Sequence, residues 1–145
     1  MNKFLQELVD LLKDDLANEY HHMHFYLWAS AVVSGLHREE MSEFFKDAAK
    51  SEMEHICEFS HILNGFGVLG PTIFKPVPAM GTSPEILLNY ACQIENQVVE
   101  HYNTRIQQAE NIATSDGKFI AIFLENQLLD SKNDAIHMTM MLKGC

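Results

Sequence analysis

Apolar residues recur along this chain every three or four positions, the spacing that lines up side chains on one face of an α-helix. Nowhere do they alternate with the two-residue period of a half-buried strand. Four amphipathic helices are expected. The first runs from Asn2 to Val33 and stops at Ser34-Gly35; the second runs from Arg38 to Asn64, with Gly65 as its terminator. From Gly65 to Ser83 the chain carries Gly67, Gly70, Pro71, Pro76, Pro78 and Gly81, too many breakers for regular structure. Ser83-Pro84-Glu85 then opens a third helix with a capping hydroxyl, a proline at the first position and an acid in the first turn. That helix is expected to reach Thr114, with Ser115-Asp116-Gly117 as a short turn before a fourth helix over Lys118 to Met141. Short turns make each successive pair an antiparallel hairpin. The long middle segment can run the length of the bundle and set helix three parallel to helix two. The expected architecture is all-α: an antiparallel four-helix bundle with one long crossover between helices two and three.

Length and composition narrow the class. The 145 residues suffice for one domain, 1–145, with a real core, and 47% hydrophobic against 21% charged residues is ordinary for a globular chain. No apolar run is long enough to span a membrane, and charges interrupt the first residues where a secretory signal would be apolar, so a cytoplasmic location is expected. A net charge of −10 opposes nucleic-acid binding, which needs a basic surface, and suits a protein that attracts cations. Cys57, Cys92 and Cys145 show neither paired spacing nor a secretory context and read as free thiols.

The acids change the picture most. On helix two, Glu52 and His55 share a face with Met41, Phe44, Phe45, Ala48, Phe59, Ile62 and Phe66. Burying a lone carboxylate in such a stripe costs several kcal/mol unless it is protonated or strongly paired. The other helices repeat the anomaly. Glu19 falls between Leu16 and Met23 in the helix-one stripe, with Asp15 and His22 at its edge. Glu95 falls among Ala91, Cys92, Val98, Tyr102 and Ile106 of helix three. Gln127, Asp130 and Asp134 fall among Ile120, Phe123 and Met138 of helix four, with Glu125 on the opposite, solvated side. No Lys or Arg accompanies these acids on the same stripes. Two divalent ions would neutralise four carboxylates, and oxygen-plus-imidazole ligation suits iron or manganese. The bland alternative is a satisfied polar network in the core.

Glu19 followed by Tyr26, then Glu52-x-x-His55, then Ile94-Glu95 after a proline-containing crossover together resemble the ferritin and bacterioferritin family of di-iron proteins, over nearly the whole chain. The resemblance implies that Glu19 is a terminal ligand to a first iron, Glu52 a bridging carboxylate, His55 a ligand to the first iron and Glu95 a ligand to the second. Tyr26 matches the tyrosine beside the iron centre. Such bundles oxidise Fe(II) to Fe(III) with dioxygen or peroxide and assemble into homo-oligomeric cages of twelve or twenty-four subunits. Helix four departs from the pattern: where bacterioferritin-like chains carry a second Glu-x-x-His, this one has Gln127 and Asp130, with Asp130 the better ligand and Asp134 in reserve, which implies a weakly held second metal. Met53 matches a methionine that ligates haem in some family members, or is simply an adaptable interface residue. A non-storing di-iron or di-manganese peroxidase or catalase, and a ferritin-like scaffold with an impaired site, are the rival readings.

Overall fold

A computed structural model describes residues 2–70 and 75–143, and within them the helices are α1 (Lys3–Val32), α2 (Arg38–Gly65), α3 (Pro84–Glu110) and α4 (Ser115–Lys143). Cys145 lies outside the described residues. Local chemistry sets most of the boundaries. The Asn2 side chain accepts a hydrogen bond from the Leu5 amide at 2.8 Å and caps α1, and Ser83 does the same for α3 through the Ile86 amide, with Pro84 in the first turn. Arg38 donates to the Val33 carbonyl at 2.7 Å, supplying a cation where the end of α1 leaves carbonyls unpaired. Gly35, at φ +103°, makes the left-handed step between α1 and α2 that a side chain would oppose.

The α3–α4 junction corrects the sequence expectation. Helix α3 ends at Glu110 rather than Thr114, and the three residues read as a turn already belong to α4. The turn instead holds Ile112, which is buried, and Gly117 packs over it. A Cβ on Gly117 would lie 2.5 Å from the Ala109 carbonyl oxygen and 2.7 Å from that of Ile112. The glycine is there for close approach, not for turn geometry.

Helix α1 packs on α2 and α3, and α3 on α4. The crossover climbs the side of α1: Gly70 lies against Leu16 and Leu63, Lys75 bonds Asn18 at 2.9 Å and His21 at 2.9 Å, and Ser34, just past α1, bonds Thr82 at the threshold of α3. It therefore starts at one end of the bundle and finishes at the other, so α2 and α3 run parallel. The apolar core divides in the same sense. One cluster gathers Leu5, Leu12, Leu16, Phe59, Leu63, Ile106, Ile120 and Leu124; the other gathers Phe25, Ala29, Phe45, Leu87, Ala91 and Met138. Between them lies a layer supplied by residues 19–22 of α1, 52–55 of α2, 95 of α3 and 127–134 of α4, where most of the buried polar side chains sit. No helix among the described residues is long and apolar enough to cross a membrane.

Candidate metal centre

The polar layer is buried and acidic. Glu19, Glu52 and Glu95 are each at most 2% exposed, and His22 and His55 at most 5%. Every helix contributes from its inward face, as the period of each stripe dictates. One ligand atom each from Glu19, His22 and Glu52 lies within 4.8 Å of the others, and so do atoms of Glu52, Glu95 and half-buried Asp134. Glu52 belongs to both groups and stands at their junction. His55 turns Nδ1 to Glu52 at 3.4 Å and to Glu19 at 3.7 Å, while His22 Nδ1 lies 3.8 Å from Glu95.

Two tyrosines hold the carboxylates from behind. Tyr26 on α1 donates to Glu95 on α3 at 2.7 Å, and Tyr102 on α3 donates to Glu19 on α1. The pairs are reciprocal, since Tyr26 follows Glu19 by seven residues and Tyr102 follows Glu95 by seven. Each tyrosine thus shares a face with one glutamate and binds the other. The sequence alone marks Tyr26 and places Tyr102 in the apolar stripe of helix three; the repeated seven-residue spacing is the signal that pairs them. Burial, with the nearby carboxylates, raises both phenols well above their ordinary value of 10.0, so they serve as neutral donors.

The remaining atoms have no protein partner. Glu19 Oε2, Glu52 Oε2, Glu95 Oε2, His22 Nδ1 and His55 Nδ1 are buried without a hydrogen bond. A single such atom costs about 1–3 kcal/mol, and these atoms, drawn from three helices into one layer, are a donor set that could hold a cation. Oxygen with imidazole nitrogen suits iron or manganese, so the residues fit the metals expected from sequence.

Burial and mutual charge shift these groups in opposite directions. Burial works to raise the Glu19 carboxyl, but the neighbouring Glu52 carboxyl and then the His55 and His22 rings outweigh it and hold the group at about 2. Burial and the Glu19 charge push Glu52 well above 4.5. Burial, then the charges of Glu19 and Asp134, raise Glu95 to about 8 against the opposing Tyr26 bond. Burial would lower His55, yet Glu19 and Asp130 raise it to about 9; His22, where burial dominates, falls to about 4 and stays neutral. Just beyond the layer, Arg105 bonds buried Asp15 at 3.0 Å, while burial still lifts that carboxyl to about 6.

Helix four differs most from the sequence expectation. Asp130 does not face the core: its side chain is 61% exposed and meets the outer ring nitrogen of His55 at 3.3 Å. Asp134, one turn on, is the aspartate that converges with Glu52 and Glu95. Gln127 is buried; its amide nitrogen donates to Glu58 at 2.7 Å, while its Oε1 is buried without a hydrogen bond. The helical register explains the exchange, because the burial phase of α4 is fixed by Leu124, Ser131, Ala135 and Met138, which turn Asp130 out and Asp134 partly in. Met53, next to Glu52, is 52% exposed and points away from the layer. His22, placed at the stripe edge from sequence, is inside.

Comparison with known proteins follows the same geometry. Residues 9–138 match the family described as Ferritin-like domain. A ferritin-like di-iron-carboxylate protein from Bacillus anthracis superimposes with a TM-score of 0.88 at 27% identity, over 98% of this chain and 99% of that one. Bacterioferritin BfrA of Mycobacterium tuberculosis gives 0.84 at 15% identity, over 95% of this chain and 85% of the other. A Dps protein from Bacillus brevis gives 0.84 at 15%, over 98% and 99%. The last two likenesses speak for the fold alone. Among curated proteins no sequence match is found.

Proposed function

Because the chain belongs to the ferritin-like family, we propose that it takes up two Fe(II) ions as substrate inside the bundle and oxidises them to Fe(III) with dioxygen or peroxide, for iron storage or detoxification. The observation that carries this reading is the set of buried, partnerless oxygen and nitrogen atoms on Glu19, Glu52, Glu95, His22 and His55, all turned toward one another. Glu19 and His55 serve one ion and Glu95 and Asp134 the other, with Glu52 between them. Tyr26 and Tyr102 fix the carboxylates they bond, so that each presents its free oxygen inward.

Adjacent ions matter because each Fe(II) gives one electron and the oxidant needs a pair. Two Fe(II), one O2 and two protons yield two Fe(III) and H2O2; with peroxide as oxidant the product is water. The protons displaced from Glu52, Glu95 and His55 on binding are available at the site for that reduction. Carboxylates also favour the ferric product, whose higher charge they neutralise better. A row of exposed apolar side chains on α4, Phe119, Ile122, Leu129, Ile136 and Met140, supports association into a homo-oligomer, as a cage would require.

The test is an aerobic Fe(II) titration of the protein beside Glu52→Gln, followed by near-ultraviolet absorbance. Fast oxidation that saturates at about two Fe(II) per chain and is lost in the variant is expected. Oxidation no faster than in buffer, for both, would overturn the reading. Many turnovers of peroxide per chain without iron retention would replace it with a peroxidase.

A further inference from the structure

Where the family resemblance calls for a histidine on helix four, this chain has Gln127 and Asp130; neither is an imidazole, and the Asp130 side chain is 61% exposed. The geometry points to His22 of α1 as the second imidazole ligand of the centre, a role that rests on the proposed di-iron reading. Glu19-x-x-His22 repeats on α1 the spacing of Glu52-x-x-His55 on α2, so each histidine rises from the same face as its glutamate, one turn on. His22 is 3% exposed, and its Nδ1 has no hydrogen-bond partner. That nitrogen lies 3.8 Å from Glu95 Oε1, and the residue offers a ligand atom within 4.8 Å of Glu19 and Glu52. A buried imidazole with an unbonded nitrogen, set among the carboxylates of Glu19, Glu52 and Glu95, occupies a ligand position.

Its neighbour shows the contrast. His21, adjacent in sequence and also buried, has both ring nitrogens occupied, by the Lys75 carbonyl at 2.9 Å and the Tyr90 hydroxyl at 2.7 Å. One histidine of the pair is used structurally, tying the crossover to α1 and α3; the other is left free toward the acids. Beside His22 opens a cavity of about 340 Å³ lined by Asn18, His21, Lys75, Tyr90 and His101, with no acid in its wall among the described residues. His22 is part of the same lining, so imidazole held in the cavity would stand beside the position emptied in His22→Ala.

Anaerobic Co(II) titration, read by visible absorption, tests the assignment without any turnover. The parent should bind two Co(II) per chain, and His22→Ala should weaken one of them by about 10–100-fold or more while keeping the other. Millimolar imidazole, held in the cavity, should restore the lost site in His22→Ala and do nothing for Glu52→Ala. Circular dichroism and thermal unfolding check that both variants fold; if His22→Ala does not, His22→Gln, which keeps a polar side chain of similar reach, replaces it. Two Co(II) bound at parental affinity by the variant would overturn the assignment, and so would a loss that imidazole fails to rescue, because a packing role predicts that. If the parent itself binds no pair of ions, or Glu52→Ala keeps both, the di-iron reading fails rather than the choice of ligand.

Discussion

Glu52→Gln isolates the cost of keeping an acid at the middle of the polar layer. Glu52 is 2% exposed, and burial together with the charge of Glu19 raises its carboxyl well above 4.5. A raised carboxyl binds its proton more tightly in the folded chain than in the unfolded one, so metal-free stability is fully present below the unfolded value and falls as pH rises above it. At pH 7 the penalty cannot exceed the distance from 4.5 to 7, which at about 1.4 kcal/mol per pH unit is about 3 kcal/mol. Glutamine carries no such penalty and keeps a polar side chain of nearly the same shape. Metal-free Glu52→Gln should therefore be the more stable protein at pH 7, by up to about 3 kcal/mol, with the advantage fading as pH approaches the unfolded value. Metal should reverse the order: an ion at a hundredfold excess over its Kd adds about 3 kcal/mol to the parent and little to the variant. Urea unfolding followed by circular dichroism, at pH 7 and pH 5, with chelator and then with Mn(II), measures each part. A variant less stable than the parent without metal at pH 7, or one that gains as much from Mn(II), would refute the reasoning.

Other consequences follow from the same geometry. Metal affinity should rise from pH 6 to pH 9, because Glu95 at about 8 and His55 at about 9 are raised groups that must lose protons to bind; calorimetry in buffers of different ionisation enthalpy should record proton release on Mn(II) uptake. Tyr102→Phe frees the Glu19 oxygen it now holds and should weaken metal binding about 10-fold, as should Tyr26→Phe through Glu95, with both variants still folded by circular dichroism. Asp134→Asn should weaken one of two Mn(II) sites in an equilibrium titration, whereas Asp130→Asn, at an exposed position, should leave the stoichiometry unchanged. Gly117→Ala should destabilise the chain by about 1–3 kcal/mol in urea, because the overlap with two backbone carbonyls outweighs the helix preference of alanine.

What was legible in the sequence was whatever follows from period and spacing. The 3.6-residue stripes set the four helices and put Glu19, Glu52 and Glu95 inside, since a residue flanked by Leu and Phe at helical spacing has nowhere else to go. The crossover followed from its breakers. Position along a stripe was less legible at the edges, where a phase difference of some 20–40° decides burial. That margin moved His22 inward and Asp130 outward, and only packing against the neighbouring helices fixes it. The α3–α4 turn misled because Ser115-Asp116-Gly117 has the composition of a turn, while the contact that requires Gly117 lies between the ends of two helices. Tyr102 was hidden by its apolar body: its hydroxyl acquires meaning only when α1 brings Glu19 across to it.

The central claim is that two iron ions lie side by side in the polar layer with Glu52 between them. Anomalous X-ray scattering at the iron edge, on crystals loaded anaerobically with Fe(II), locates them directly. Two peaks about 3.5–4 Å apart, one on either side of Glu52, are predicted. A single peak, or peaks only at the surface, would contradict the account.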